Sequence, residues 1–301
     1  MAKSKSATSA SSTRKSSSNP MKAVATKKKK VVRKTTTKKK KNKTSTWTLS
    51  GTAKRNLIAL SISLILICIF YAFYIRPYSY RWLPCMGSKY YEVCMPKGYS
   101  IHGIDISRHQ GKIDWERLAT NQVEEAPLHF VFMKATEGGD FKDVTYAKNI
   151  EKSRKHGFIT GAYHFYSPRT SATKQANFFI KNVKLKSGDL PPVLDVEIFG
   201  KGSKENFKDS VKVWLDLVEK NYKTKPIIYT SYKFKEKYLS DPVFDEYPFW
   251  IAHYYVSKVR YKGEWDFWQH TDIGIIDGIE ERVDLNVFNG TLEELKAMTL
   301  P

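Results

Sequence analysis

From residue 101 onward, apolar and polar positions alternate between two periods. Short runs rich in Val, Ile, Phe and Tyr predict strands at 101–107, 130–136, 159–166, 191–197, 226–231, 248–254, 267–272 and 283–288. Helical patterns separate the first five. One at 143–157 closes on Gly157 and one at 171–185 opens on Ser171. A third, at 204–222, places Phe207, Val211, Trp214, Leu215 and Val218 on one face. The last three strands follow one another with little helix between them. This order predicts the α/β class: an irregular TIM-like barrel of eight strands with fewer than eight helices, closed and parallel, with irregular final crossovers. An open doubly wound sheet is the alternative, but no Gly-rich phosphate loop follows the first strand.

Upstream the pattern is different. Leu57 to Ile75 is a run of 19 residues without a charge. At 1.5 Å per residue it spans about 28 Å, close to the hydrocarbon core of a bilayer. Lys54 and Arg55 flank one end and Arg76 the other, and Tyr71, Tyr74, Tyr78 and Trp82 form an aromatic belt near the exit. A cleaved signal peptide is the competing reading. The 56-residue lead is too long for an ordinary n-region, and no small-x-small site follows the apolar run.

Charge sharpens this picture. The formal net charge is +21, but residues 1–56 hold 18 Lys or Arg and no acid, and the first acidic residue is Glu92. The basic character belongs to a Ser-, Thr- and Lys-rich tail with too little apolar surface to offset its ordering entropy. Such a tail could bind nucleic acid or anionic lipid, but a solvated tail that holds topology is the simpler reading, and no specific nucleic-acid partner is expected. The predicted organisation is a disordered basic cytoplasmic tail (1–56), a transmembrane helix (57–75), a linker (76–100) and a barrel domain (101–301). By the positive-inside rule the barrel lies outside the cytoplasmic membrane, where Cys85 and Cys94 could close a small disulfide loop.

The candidate chemistry sits at the strand ends. "LPPVLDVEIFG" (190–200) is an apolar strand that carries Asp195 and Glu197 near its end. Two residues apart on a strand, they share a face about 6.6 Å apart. In a closed barrel the first and eighth strands are neighbours, so Asp105 and Asp284 should meet. Crowded carboxylates raise one another's pKa, and a protonated acid beside an ionised one suits glycosidic cleavage. Asp105, Asp195 and Glu197 are the candidate catalytic residues. Asp284, Tyr163, Tyr166, Tyr229, Trp250, Tyr254, Trp268, Gln269 and Asn286 are candidates for binding a sugar through flat faces and polar groups. Each aromatic taken singly is more often core than ligand platform. No H-E-x-x-H, G-x-S-x-G or Walker loop is present, and neither metal nor cofactor is called for.

Residues 101–296 resemble the family-25 glycoside hydrolases, lysozymes that cleave peptidoglycan as N-acetylmuramidases. The resemblance rests on "GIDISRHQGKIDWERL", "FVFMKATEGGDFKD", "GAYHFY", "LPPVLDVE", "PIIYTS", "WIAHY", "FWQHT" and "VDLNVF" in that order. It implies an eight-stranded barrel and peptidoglycan glycan strands as partner. It also implies Glu197 as general acid with Asp195 as its partner, Asp105 and Asp284 as further active-site acids, and Tyr163 and Tyr229 along the sugar groove. Many relatives are secreted, whereas this chain has a basic tail and an anchor, with membrane lipid as a second partner through one helix. The rival reading is a non-catalytic peptidoglycan-binding membrane protein, and a membrane tether for nucleic acid is a further one.

Overall fold

The computed structural model describes residues 49–76, 85 and 88–301. The basic tail up to residue 48 lies outside the described residues. Helix α1 (Gly51–Phe70) continues through a π-helical turn, Tyr71–Ile75. Together they make 25 residues, none of them buried, long and apolar enough to cross a membrane.

Residues 89–94 are not a linker. They form a hairpin of β1 (Lys89–Tyr90) and β2 (Val93–Cys94), closed by a Cys85–Cys94 disulfide. Tyr91, Val93 and Met95 are buried in one core with Ile104, Ile106 and Leu285. The Tyr91 hydroxyl donates to the Ala126 carbonyl at 2.7 Å, and the Ile275 N–H donates to the Tyr91 carbonyl at 3.0 Å.

Eight strands close the barrel: β3 (Ile101–Ile106), β4 (Leu128–Glu137), β6 (Ile159–Phe165), β7 (Val193–Asp195), β8 (Ile227–Ser231), β9 (Phe249–Ala252), β10 (Phe267–Gly274) and β11 (Val283–Phe288). The short β5 (Phe141–Lys142) folds back on the end of β4. Five helices serve the crossovers: α2 (Trp115–Thr120), α3 (Tyr146–Lys155), α4 (Ala172–Asn182), α5 (Lys204–Tyr222) and α6 (Tyr232–Tyr238). Ser171 and Ser203 cap α4 and α5 by accepting from the N–H groups of Lys174 and Asn206. The barrel is mixed, not wholly parallel: β11 runs antiparallel to both β10 and β3. The cause is length. Residues 275–282 alone join β10 to β11, too few for a parallel crossover, which needs a dozen or more.

The barrel lumen is packed, with Ile101, Phe130, Phe132, Val193, Ile227, Trp250, Phe267 and Phe288 in one cluster. Gly103 and Gly161 make room for the two phenylalanines. An added Cβ would lie 2.5 Å from the Phe130 ring and 2.4 Å from that of Phe132. The last helix, α7 (Leu292–Ala297), brings Leu295 to the same cluster. A second apolar layer fills the space between strands and helices. The α5 face of Phe207, Val211, Trp214, Leu215 and Val218 is buried there, as its spacing predicts.

Candidate active site

Strand parity decides which side chains reach the mouth of the barrel. On β7, Leu194 and Val196 are buried in the outer layer, so Asp195 and Glu197 turn to the lumen. The backbone around them is pinned on both sides. The Tyr166 N–H donates to the Asp195 carbonyl at 2.8 Å, and the Val196 N–H donates to the Tyr229 carbonyl at 2.9 Å. The Thr230 hydroxyl donates to the Val196 carbonyl at 2.7 Å. Asp195 is buried and Glu197 is open to solvent at the rim.

These two carboxylates line a cleft of about 250 Å³ with Asp105, Asp284, Lys134, Tyr163, Phe165, Tyr229, Trp250, Tyr254 and Gln269. Ser107 and His109 complete the lining. Asp105 is held as an acceptor. Gln269 Nε2 and Asn286 Nδ2 each donate to its Oδ2 at 2.8 Å. Both amides are themselves oriented. The Tyr229 and Tyr254 hydroxyls donate to Gln269 Oε1 at 2.6 Å, and the Trp250 indole N–H donates to Asn286 Oδ1 at 2.8 Å. Asp284 lies directly across the β3–β11 ladder from Asp105.

Four carboxylates in one small cleft cannot all ionise. Burial, reinforced by the neighbouring Asp105, pushes Asp284 up to about 9. Burial also lifts Asp105, to about 6, while its two amide donors oppose the shift. Those donors favour a charged Asp105, so the proton shared by this pair rests on Asp284. Burial, then the charge of Glu197, holds Asp195 well above the usual carboxylate range. Glu197 is raised by the protein packed around its carboxyl and lowered by Lys134, although its surface remains open to solvent at the rim. Among the described residues, Asp195 Oδ1 has no hydrogen-bond partner. A buried carboxylate oxygen left open in a cleft is poised for a ligand's donor. No group of three or more His, Cys, Asp or Glu among the described residues is arranged to hold a metal ion. Two larger surface clefts, of about 870 and 790 Å³, contain none of the four carboxylates; each holds an ion pair of its own, Arg117 with Asp277 and Lys225 with Glu246.

A mixed eight-stranded barrel with acids gathered at one mouth invites comparison with glycoside hydrolases. The model of glycosyl hydrolases family 25 matches residues 104–279. This chain belongs to that family. Among relatives of the family 25 chain, the uncharacterized protein YegX of Escherichia coli (strain K12) is 45% identical over 225 residues, covering 74% of this chain and 80% of its own. Lysozyme M1 of Streptomyces globisporus is 32% identical over 213 residues, covering 66% of this chain and 71% of its own. The solved family 25 glycosyl hydrolase from Bacillus anthracis superposes with a TM-score of 0.62 at 33% identity, covering 68% of this chain and 96% of that one.

In this family 25 barrel, not every residue singled out by sequence reaches the cleft. Asp105, Asp195, Glu197, Asp284, Tyr163, Tyr229, Tyr254 and Gln269 come together there. Trp250 forms floor more than platform. It is 2% exposed and stacks on Phe132 with ring centroids 4.6 Å apart. Asn286 is fully buried beneath Asp105. Tyr166 and Trp268 face the wrong way. Tyr166 packs edge-on to Phe207 outside the barrel, and Trp268 donates its indole N–H to the His253 carbonyl at 2.9 Å and meets Tyr99 edge-on. Both occupy the parity opposite to their inward neighbours, Phe165 and Gln269. The same parity turns His164 outward, where it bonds Thr136 at 2.8 Å and stacks on Trp214 behind the wall. Sequence reasoning missed Lys134. Its Nζ meets Glu137 at 2.6 Å and lies 4.7 Å over the Phe165 ring. The signal was present, since Lys134 shares the parity of Phe130 and Phe132 in "FVFMKAT".

Proposed function

We propose that this chain is a lysozyme-type N-acetylmuramidase anchored in the cytoplasmic membrane. It hydrolyses the β-1,4 bond between N-acetylmuramic acid and N-acetylglucosamine in peptidoglycan, on the outer side of that membrane. The observation that carries this reading is the pairing of a buried Asp195 with a free Oδ1 and a rim-exposed Glu197 on one strand face. Glu197 is open to a glycosidic oxygen and donates its proton to the leaving O4. Asp195 comes from the same strand, two residues away, and has no position on the opposite face of the sugar from which to attack. The substrate's own 2-acetamido oxygen therefore attacks C1, while Asp195 Oδ1 accepts the acetamido N–H. That hydrogen bond favours ionised Asp195, whose charge in turn helps Glu197 keep its proton until the bond breaks. Glu197 then takes a proton from the water that opens the cyclic intermediate, so one water is consumed per cut and the β configuration is retained.

The location rests on three features. The apolar helix is long enough to span, the basic charge lies on its N-terminal side, and the Cys85–Cys94 bridge suits an oxidising compartment. The deciding experiment is a digest of purified peptidoglycan by the full chain in detergent. New reducing ends on N-acetylmuramic acid are expected, with the β anomer formed first by rapid NMR. Glycan in which that muramic acid lacks its N-acetyl group should be scarcely cut. Reducing ends on N-acetylglucosamine would overturn the muramidase reading, and a first-formed α anomer would overturn the assisted route.

A further inference from the structure

The hairpin at residues 89–94 lies before the stretch matched by the family model, yet it is built into the barrel. Its turn is strained. Tyr91 and Glu92 both hold positive φ, 53° and 60°, where side chains are disfavoured. Such a turn persists only where its surroundings over-determine it. Here they do: Tyr91 is 8% exposed, its hydroxyl bonds the Ala126 carbonyl, its carbonyl bonds the Ile275 N–H, and the disulfide closes the base.

This docking shortens the connection between helix and barrel. If residues 76–100 were all free, the connection would reach about 85 Å when extended. With Cys85 tied to Cys94 by the disulfide, ten Cα steps separate Cys85 from Ile75, about 35 Å at most whatever path they follow. A domain of roughly 200 residues has a radius of gyration near ~17 Å and is about 45 Å across. No part of the barrel can then lie more than about 80 Å from the end of the helix.

We infer that the disulfide-closed hairpin is a fixed mount that restricts this enzyme to glycan held close to the bilayer. The inference rests on the anchored-muramidase reading and narrows its substrate class. Strands next to the membrane are within reach, and strands in outer layers of the wall are not.

The test uses the full chain reconstituted in a supported bilayer. Peptidoglycan fragments are attached either directly to lipid headgroups or on rigid spacers about 120 Å tall. Headgroup-held fragments should be cut at least tenfold faster than raised ones. Inserting 60 Gly and Ser residues after Pro77 should remove most of that difference, because the added chain extends the reach and leaves the hairpin untouched. Equal rates on both surfaces by the unaltered chain would overturn the inference. Hydrogen exchange at the Ile275 amide reads the docking directly. Protection comparable to the barrel strands is expected, and exchange as fast as a frayed terminus would overturn the mount even if the chain proved inactive. Failure to cut soluble fragments in detergent would instead count against the muramidase reading.

Discussion

Glu197 lies two residues beyond the end of β7, directly after Val196, whose N–H and carbonyl are both bonded to β8, and its side chain is open to solvent at the rim. Glu197→Gln keeps the shape and removes the proton. General acid catalysis contributes ~10²–10⁴-fold, so turnover should fall by at least that much with the melting temperature unchanged. Near-normal turnover would remove Glu197 from its role. In the proposed mechanism Lys134 sets the range over which Glu197 can act as the acid. Its charge lowers both Glu197 and Asp195, so Lys134→Met should raise both. A protonated acid then survives to higher pH, and the alkaline limb of the kcat/KM profile should move up. A limb that stays in place or moves down would show that Lys134 does not tune the pair.

At the scale of elements, the reversal of β11 matters most. Asp284 is the second residue of this strand. In a parallel strand it would sit at the barrel's far end, whereas in an antiparallel one it stands beside Asp105 at the mouth. That placement has a stability consequence with a definite sign. The folded state binds a proton on Asp284 up to about 9, while an unfolded carboxyl releases it near 4. The stabilising effect is present below pH ~4 and is lost progressively as pH rises toward 9. Asp284→Asn should therefore be more stable than the parent at pH 8, by ~1–2 kcal/mol, and little different at pH 4. Denaturation curves at the two pH values measure this, and a variant less stable at pH 8 would contradict the assignment. The Asn variant should also lose activity, since the cleft gives up one of its acids.

At the scale of the whole molecule, charge and hydropathy divide the chain. After residue 56 there are 33 basic and 30 acidic residues, so almost all of the +21 lies before the uncharged run at 57–75. This asymmetry argues for an N-terminus in the cytoplasm and a barrel outside. Protease added to spheroplasts should degrade residues after 76 and leave the basic tail intact until the membrane is permeabilised, as read by antibodies to each end. Protection of the barrel would reverse the topology and exclude peptidoglycan as its substrate.

The periods of the sequence, 2 in the strands and 3.6 in α5, were enough to determine the class, the eight strands and the apolar helix, because burial of one face is a local property of side-chain order. The motif around Asp195 and Glu197 was equally legible, since both project from a single strand. What only the tertiary structure decided depends on contacts between distant segments. The direction of β11 follows from a short connection and ladder closure onto β3. The inward Lys134 and the outward Tyr166 and Trp268 follow from barrel parity, which assigns an inside only once the sheet has closed. The hairpin, read as linker, becomes core because Tyr91, Val93 and Met95 find apolar partners more than ten residues away, where no local pattern records them.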